Sequence, residues 1–115
     1  MRFDGDFRMT IGSALEAGAG RMAVINPATA APFAEAPDVS PAELDRAVAT
    51  ARAAFPGWAG TPHGTRAALV AALAEAVEQH ADSFARLLTR EQGKPLAEAR
   101  REVLGLAPGS APPPA

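Results

Sequence analysis

The sequence of 115 residues contains no cysteine and only one tryptophan. Without cysteine the chain can form no disulfide, present no thiolate nucleophile and bind no zinc through sulfur. The absence agrees with a reducing compartment. It also restricts any covalent chemistry by this chain to other side chains.

Long apolar runs and a strong excess of charge are also missing. No stretch approaches the roughly 20 apolar residues that span a bilayer. Asp4 and Asp6 interrupt the region where a signal peptide would be apolar. Eleven Lys and Arg are scattered among thirteen Asp and Glu, for a net charge of −2, which gives no field that attracts nucleic acid or anionic lipid. We therefore expect a cytoplasmic protein that binds neither nucleic acid nor membrane.

Extended segments are predicted near the N-terminus. Residues 7–11 alternate apolar and polar side chains, and residues 21–26 form a second apolar run that ends before a proline. These two segments are candidates for one hairpin, whose register the long linker 14–20 leaves open. The prolines in residues 27–38 allow a short edge strand over residues 33–36 and exclude a central one.

Helix signals begin at Ser40. The order Ser-Pro-Ala-Glu over residues 40–43 predicts a capping box with proline at the first helical position. Apolar residues then recur at helical spacing up to Phe55, where a Pro-Gly pair predicts the end of the helix. A second helix is expected with Thr61 as its N-cap and Pro62 as its first residue.

Two further helices are predicted, over residues 82–92 with its stop at Gly93 and over residues 95–104 with its stop at Gly105. Residues 107–115 are rich in proline and lack periodicity, which predicts disorder. The fold class is therefore α+β, with a short N-terminal β segment followed by three or four amphipathic helices. The side chains expected to point inward on the second and third helices are Leu69, Val70, Leu73, Val77, Phe84, Leu87 and Leu88.

No catalytic constellation is visible in the sequence. His63 and His80 have no second histidine or carboxylate at metal-ligand spacing, which favours structural or surface roles. Trp58 follows a Pro-Gly pair and is more typical of a packing anchor than of a ligand platform. The charged groups at 90–91 and 100–102 are more typical of solvated helix partners than of an anion clamp or an acid–base site.

Four motifs occur in one order along the chain, namely VINPAT at 24–29, FAEAPDV at 33–39, AVATARAAFPGW at 47–58 and TREQGKPLAEA at 89–99. Together they resemble the N-terminal portion of the NAD(P)-dependent aldehyde dehydrogenase superfamily. The resemblance covers about residues 7–106. It implies that residues 1–106 are a partial N-terminal segment of that family's α/β, Rossmann-like cofactor-binding domain.

The resemblance also implies a function for full-length relatives, which oxidise aldehydes to carboxylic acids with NAD or NADP, and it implies dehydrogenase subunits as partners. The family's catalytic asparagine, glutamate and cysteine motifs come later than the matched region. No catalytic or cofactor-binding residue is therefore assigned here, and the chain alone is expected to be inactive and to bind no cofactor. The alternative is a small helical interaction protein that binds a dehydrogenase subunit or another partner.

One metal site is implied by the resemblance alone. Some family members bind a monovalent cation through backbone carbonyls and an acidic side chain, which correspond here to Val24, Ile25 and Glu91. Hard cations favour such oxygen ligands, and the alternative is that Glu91 is an ordinary surface acid.

The sequence departs from the family pattern in two places. Ala30 and Ala31 stand where the family has glycine and a polar or acidic residue, so the tight turn there is in question. Residues 106–115 replace the expected helix continuation with a proline-rich segment, which suggests another reading frame or a truncated gene model.

Overall fold

The structure is a computed structural model and describes residues 7–105. The predicted disorder of residues 107–115 lies outside that range. The architecture is α+β, as predicted from the sequence. The elements, in chain order, are β1 (Met9–Ile11), β2 (Ala14–Glu16), β3 (Gly20–Asn26), β4 (Ala31–Asp38), α1 (Pro41–Gly60), α2 (His63–Gln79), α3 (Ala81–Gln92) and α4 (Leu96–Leu104).

The described chain divides into two compact units. The strand unit contains residues 7–25 and 32–61, and the helical unit contains residues 26–31 and 62–105. The strand unit therefore comprises the paired strands and α1, whereas the helical unit comprises α2, α3, α4 and the turn between β3 and β4.

The first hairpin of the strand unit pairs β1 with β2, not with β3. Ile11 lies opposite Ala14 in an antiparallel ladder, so only two residues form the loop. Gly12 in this loop has a φ of 64°, a left-handed conformation that suits two-residue hairpin loops. The prediction that residues 7–11 pair with residues 21–26 is therefore wrong. A two-residue loop closes at a lower entropic cost than a longer linker, and β2 lies within that supposed linker.

β3 instead pairs with β4 in a second two-stranded sheet. β4 is longer than the predicted edge strand over residues 33–36, and it includes Pro32 and Pro37. Both strands of a two-stranded sheet are edge strands, so each has one side where no backbone N–H is needed for a ladder. The sheet therefore tolerates prolines that a central strand would not.

The turn between β3 and β4 forms although it lacks glycine. The backbone N–H of Thr29 donates to the carbonyl of Asn26 at 3.2 Å, and the N–H of Ala28 donates to the Asn26 side-chain oxygen at 3.0 Å. Ala30 adopts a φ of 52°, the only described non-glycine residue with a positive φ. Alanine in place of the family's glycine at position 30 therefore adds backbone strain to the turn but does not prevent it from forming.

The N-terminus of α1 confirms the predicted capping box. The hydroxyl of Ser40 accepts from the backbone N–H of Glu43 at 3.3 Å, and the Glu43 carboxylate accepts from the backbone N–H of Ser40 at 2.8 Å. Pro41 occupies the first helical position, where its missing N–H has no intrahelical partner to lose.

The predicted end of α1 near Phe55 is wrong, since the helix continues through Pro56 to Gly60. Every residue from 51 to 60 is exposed, so water can hydrogen-bond the carbonyl that Pro56 leaves without a partner. Thr61 closes the helix, because its N–H donates to Trp58 O at 3.1 Å and its hydroxyl donates to Gly57 O at 3.0 Å. Thr61 is thus the C-cap of α1, and the prediction that it is the N-cap of α2 is also wrong.

The core of the helical unit is built from small side chains. Ala81 and Ala85 of α3 and Ala99 and Val103 of α4 are buried, and α3 packs against α4. The predicted inward residues of α3, Phe84, Leu87 and Leu88, are only half-buried. The prediction that these three side chains point inward therefore holds in part, since they are neither fully buried nor exposed.

The two longest helices contain no buried residue. We call Leu44, Val48 and Phe55 the α1 face; their side chains are 53%, 54% and 65% exposed. We call Leu69, Val70 and Leu73 the α2 face, with exposures of 53%, 56% and 65%. The sequence prediction that the α2 face points inward is wrong for the described residues, and only Val77 of that stripe is half-buried.

Candidate functional site

Two motif turns lie against each other in the helical unit. Gly93 ends α3 with a left-handed φ of 73°, and its N–H donates to Thr89 O at 2.9 Å. A Cβ atom added to Gly93 would lie 3.0 Å from Cγ of Pro27. The Gly-Lys-Pro turn after α3 is therefore in contact with the Asn-Pro turn after β3, although the two turns are far apart in the sequence.

Two ion pairs of the helical unit involve charged residues in and after the Gly-Lys-Pro turn. Lys94 pairs with Glu102, and Arg100 Nε lies 3.2 Å from Asp82 Oδ1. The first pair joins the turn after α3 to α4, and the second joins α3 to α4. All four side chains are at least partly exposed, so these pairs orient the helices and contribute little stability.

An open groove of about 770 Å³ is formed by one face of α3 and one face of α4. On α4 the lining residues recur at helical spacing, a pattern that the sequence analysis did not connect with α3 because it favoured solvated charges over an anion clamp at 100–102. The groove contains three guanidinium groups and one carboxylate beside apolar side chains. The lining residues are Asp82, Arg86, Leu96, Ala97, Arg100, Arg101 and Leu104.

The predicted cation ligands fall in different units of the structure. Val24 and Ile25 lie near the end of β3 in the strand unit, where Val24 is half-buried and Ile25 is exposed. Glu91 lies in the last turn of α3 in the helical unit and is exposed. Within residues 7–105 no three His, Asp or Glu side chains are grouped in a way that could hold a metal. The carbonyl-based site stays a prediction.

The other singled-out residues do not come together as a site. His63 is the exposed first residue of α2, and His80 is half-buried between α2 and α3. Trp58 is 45% exposed on α1, so its predicted role as a packing anchor is not fulfilled among the described residues. No helix in the described part of the chain is long and apolar enough to cross a membrane.

The clearest electrostatic feature belongs to the strand unit. The backbone N–H and then the hydroxyl of Ser40 hydrogen-bond the Glu43 carboxylate and hold its pKa below the ordinary value of 4.5. Glu16 accepts hydrogen bonds from both terminal nitrogens of Arg46, at 3.1 and 2.5 Å, which raises the pKa of Arg46. Ser40 and Glu43 thus stabilise the start of α1, and the pair of Arg46 and Glu16 joins α1 to β2. Their roles are structural, since the Glu43 carboxylate completes the capping box and the Glu16 carboxylate joins β2 to α1.

Comparison with known proteins assigns this arrangement to a family. The sequence model described as the aldehyde dehydrogenase family matches residues 15–108. A probable aldehyde dehydrogenase from Pseudomonas sp is 43% identical over 99 residues, which are 86% of this chain and 20% of the relative. The chain belongs to the aldehyde dehydrogenase family and spans about one fifth of the length of the curated relatives it matches.

Solved structures show the same fold. The crystal structure of succinate-semialdehyde dehydrogenase from Burkholderia pseudomallei superposes with a TM-score of 0.80 at 35% identity, over 84% of this chain and 20% of that one. A mutant of aldehyde dehydrogenase C from Pseudomonas syringae, complexed with NAD+ and octanal, gives a TM-score of 0.77 at 34% identity, over 83% and 20% of the two chains. The match corresponds to the N-terminal fifth of these folds, and family relatives are NAD(P)-dependent.

Proposed function

We propose that this chain is an N-terminal structural segment of an NAD(P)-dependent aldehyde dehydrogenase, without catalytic activity of its own. The observation that carries the proposal is the absence of cysteine from all 115 residues in a chain that belongs to this family. Oxidation of an aldehyde through a covalent thiol adduct requires a thiolate to attack the carbonyl carbon. The chain cannot provide that thiolate, so its contribution is scaffold.

The domain assignment is part of this proposal. Residues 1–106 form a partial segment of the cofactor-binding domain, and residues 107–115 lie outside it. The match of the family to residues 15–108 supports the assignment of the segment. We also propose a cytoplasmic location and no binding to nucleic acid or membrane, in line with the net charge of −2.

The test of inactivity is a direct assay of the purified chain. The chain is mixed with NAD+ or NADP+ and with short aliphatic and aromatic aldehydes, and formation of the reduced nicotinamide is followed by absorbance. We expect no rate above the protein-free control, and no heat of NAD+ binding in calorimetry. The intact Pseudomonas relative serves as the active control. A reproducible rate from this chain would show that the proposal is wrong.

We further propose that Val24 and Ile25, through backbone carbonyls, and Glu91, through its carboxylate, contribute to a site for Na+ or K+. The motifs at 24–29 and 89–99, in a chain that belongs to this family, support the proposal. The test is thermal unfolding in NaCl, KCl or choline chloride at equal ionic strength. We expect Na+ or K+ to raise the midpoint in the parent chain and in Glu98→Gln but not in Glu91→Gln. An identical response of all three proteins would contradict the site.

The comparisons do not favour the alternative of a small helical interaction protein that binds a dehydrogenase subunit or another partner. Partnership with aldehyde dehydrogenase subunits remains part of the proposed function.

A further inference from the structure

The groove between α3 and α4 has the dimensions of a small-molecule site. Its volume is about 770 Å³, within the roughly 300–1,000 Å³ of ligand pockets in proteins. Both walls belong to the helical unit, in which α3 and α4 pack against each other. Ala85 and Ala99, one from each helix, are fully shielded from water. The two packed helices therefore form the groove by themselves, and all its lining residues come from them.

One part of the groove is apolar. Leu96, Ala97 and Leu104 of α4 line it, and their spacing places them on one side of the helix. Leu96 is 42% exposed, so its side chain is accessible to a ligand. More of the groove wall is apolar than polar. A ligand that fits the groove therefore has a hydrocarbon portion, because such a portion removes this apolar surface from water.

The other part of the groove is positively charged. Arg86 of α3 and Arg100 and Arg101 of α4 contribute three guanidinium groups, and Asp82 contributes one carboxylate, which leaves an excess of positive charge. Asp82 pairs with Arg100 at 3.2 Å. Within residues 7–105 neither Arg86 nor Arg101 takes part in an ion pair. Their guanidinium groups are therefore available to an anion from solution.

This positive charge is local to the groove. The whole chain has a net charge of −2, and the other two carboxylates of α4, Glu98 and Glu102, are not among the lining residues. Glu102 pairs with Lys94 instead. A guanidinium group binds a carboxylate through two parallel hydrogen bonds, which fix the orientation of the ligand as well as neutralise its charge. The charge of the groove therefore favours a ligand with a carboxylate.

The two parts of the groove distinguish between classes of anion. A small anion such as acetate has no group that covers the apolar part. An acidic peptide brings several carboxylates to a groove in which Arg100 is already paired, and a docked helix needs a longer series of apolar anchors than this groove offers. A single carboxylate on a hydrocarbon chain uses both parts.

We propose that the groove between α3 and α4 binds an alkyl carboxylate of medium chain length. Arg86 and Arg101 hold the carboxylate between the two helices, and Leu96 and Leu104 contact the alkyl chain. The lining residues include no hydroxyl, thiol, imidazole or amine, so the ligand is bound and is not chemically changed. The inference is separate from the proposed function, because it concerns binding in a groove and not the oxidation of an aldehyde.

The test uses sodium octanoate as the probe and proton–nitrogen correlation spectra of the purified full chain as the readout. We expect saturable shifts of amide signals in α3 and α4 at one ligand per chain. Acetate, which lacks the alkyl chain, and octanol, which lacks the charge, are expected to bind at least tenfold more weakly. Equal binding of either compound would overturn the proposal.

Two other outcomes of the same titration also count against the groove. Shifts centred on the α1 face or the α2 face would show adsorption to exposed apolar side chains, and they would overturn the proposal. Stronger binding of a hexaglutamate peptide than of octanoate would make an acidic peptide the ligand in place of an alkyl carboxylate.

Substitution of the arginines locates the carboxylate. Arg86→Gln and Arg101→Gln are each expected to raise the Kd for octanoate at least tenfold, because each removes one guanidinium group from the groove. The matched control is Arg52→Gln, at an exposed position in α1, which makes the same change of charge outside the groove and is expected to stay within twofold of the parent. Circular dichroism checks that each variant keeps its helices. Equal effects of Arg101→Gln and Arg52→Gln contradict the proposal.

Leu96→Ala tests the apolar part of the groove. We expect it to raise the Kd for octanoate at least threefold, whereas Leu69→Ala, at a position of α2 that is 53% exposed, is expected to leave the Kd close to that of the parent. An unchanged Kd for Leu96→Ala would show that the alkyl chain does not lie along α4 and would overturn the proposal. Neither NAD+ nor an aldehyde is present in these titrations, so their failure leaves the proposed function unaffected.

Discussion

Gly93 and Pro27 are so close that a side chain at position 93 would require Pro27 to shift. The Cβ of an alanine would lie 3.0 Å from Cγ of Pro27, and Gly93 has a left-handed φ of 73°. The tight contact and the backbone conformation therefore both favour glycine here. The contact brings the turn after β3 to the end of α3, so the residue that terminates the helix also lies against a turn that is distant in the sequence.

Gly93→Ala is the sharpest test of this contact. We expect it to destabilise the chain by more than about 1 kcal/mol, because alanine is disfavoured at positive φ and because its methyl group must displace Pro27. The measurement is urea unfolding followed by circular dichroism. The control is Gly64→Ala in α2, where a Cβ meets nothing within 4 Å; it is expected to be neutral or to stabilise by up to about 1 kcal/mol. Similar effects of both changes would refute the role of Gly93.

Ala30→Gly is expected to stabilise the protein. Ala30 has a φ of 52°, a conformation in which alanine carries a steric cost that glycine lacks. We expect a gain of about 0.5 to 1 kcal/mol, after allowance for the greater backbone freedom of glycine in the unfolded chain. Thermal unfolding measures it, and Ala28→Gly in the same turn is the control, since Ala28 has no positive φ. Stabilisation by Ala28→Gly alone would be the opposite of what we predict.

Ser40→Ala removes the side-chain half of the capping box. We expect a loss of about 1 kcal/mol, because the backbone N–H of Glu43 loses its acceptor at the start of α1. The loss should be visible as a lower urea midpoint together with a reduced helix signal. Ser13→Ala, at an exposed position in the β1–β2 loop, is expected to change the midpoint little. No difference between the two variants would show that the cap is not formed in solution.

The capping box also predicts a pH dependence of stability. Hydrogen bonds from Ser40 lower the pKa of Glu43 in the folded chain below 4.5. A lowered folded pKa means that the contribution is fully present above the unfolded pKa and is lost as the pH falls through the folded pKa. We therefore expect Glu43→Gln to flatten the fall in urea midpoint on acidification. Glu75→Gln, an exposed carboxylate in α2, is the control and should leave the pH profile close to that of the parent.

Local signals in the sequence were sufficient for most helix boundaries and for the family. The capping box at Ser40 and the stop at Gly93 depend on hydrogen bonds between residues three or four positions apart, which a local pattern can encode. The four motifs between residues 24 and 99 likewise carried the family resemblance without any knowledge of contacts. The groove between α3 and α4 was missed, because its lining depends on how two helices approach each other.

The sequence by itself determined the α+β order of elements, the start of α1, the end of α3 and the absence of a thiol nucleophile, because each of these depends on residue type or on near neighbours. Only the tertiary structure decided that β1 pairs with β2, that Thr61 ends α1, and that Ala81, Ala85, Ala99 and Val103 are the buried residues of α3 and α4. These outcomes depend on which segments compete for the same pairing and on how closely two elements pack. The hydrophobic pattern of a single segment contains no information about either.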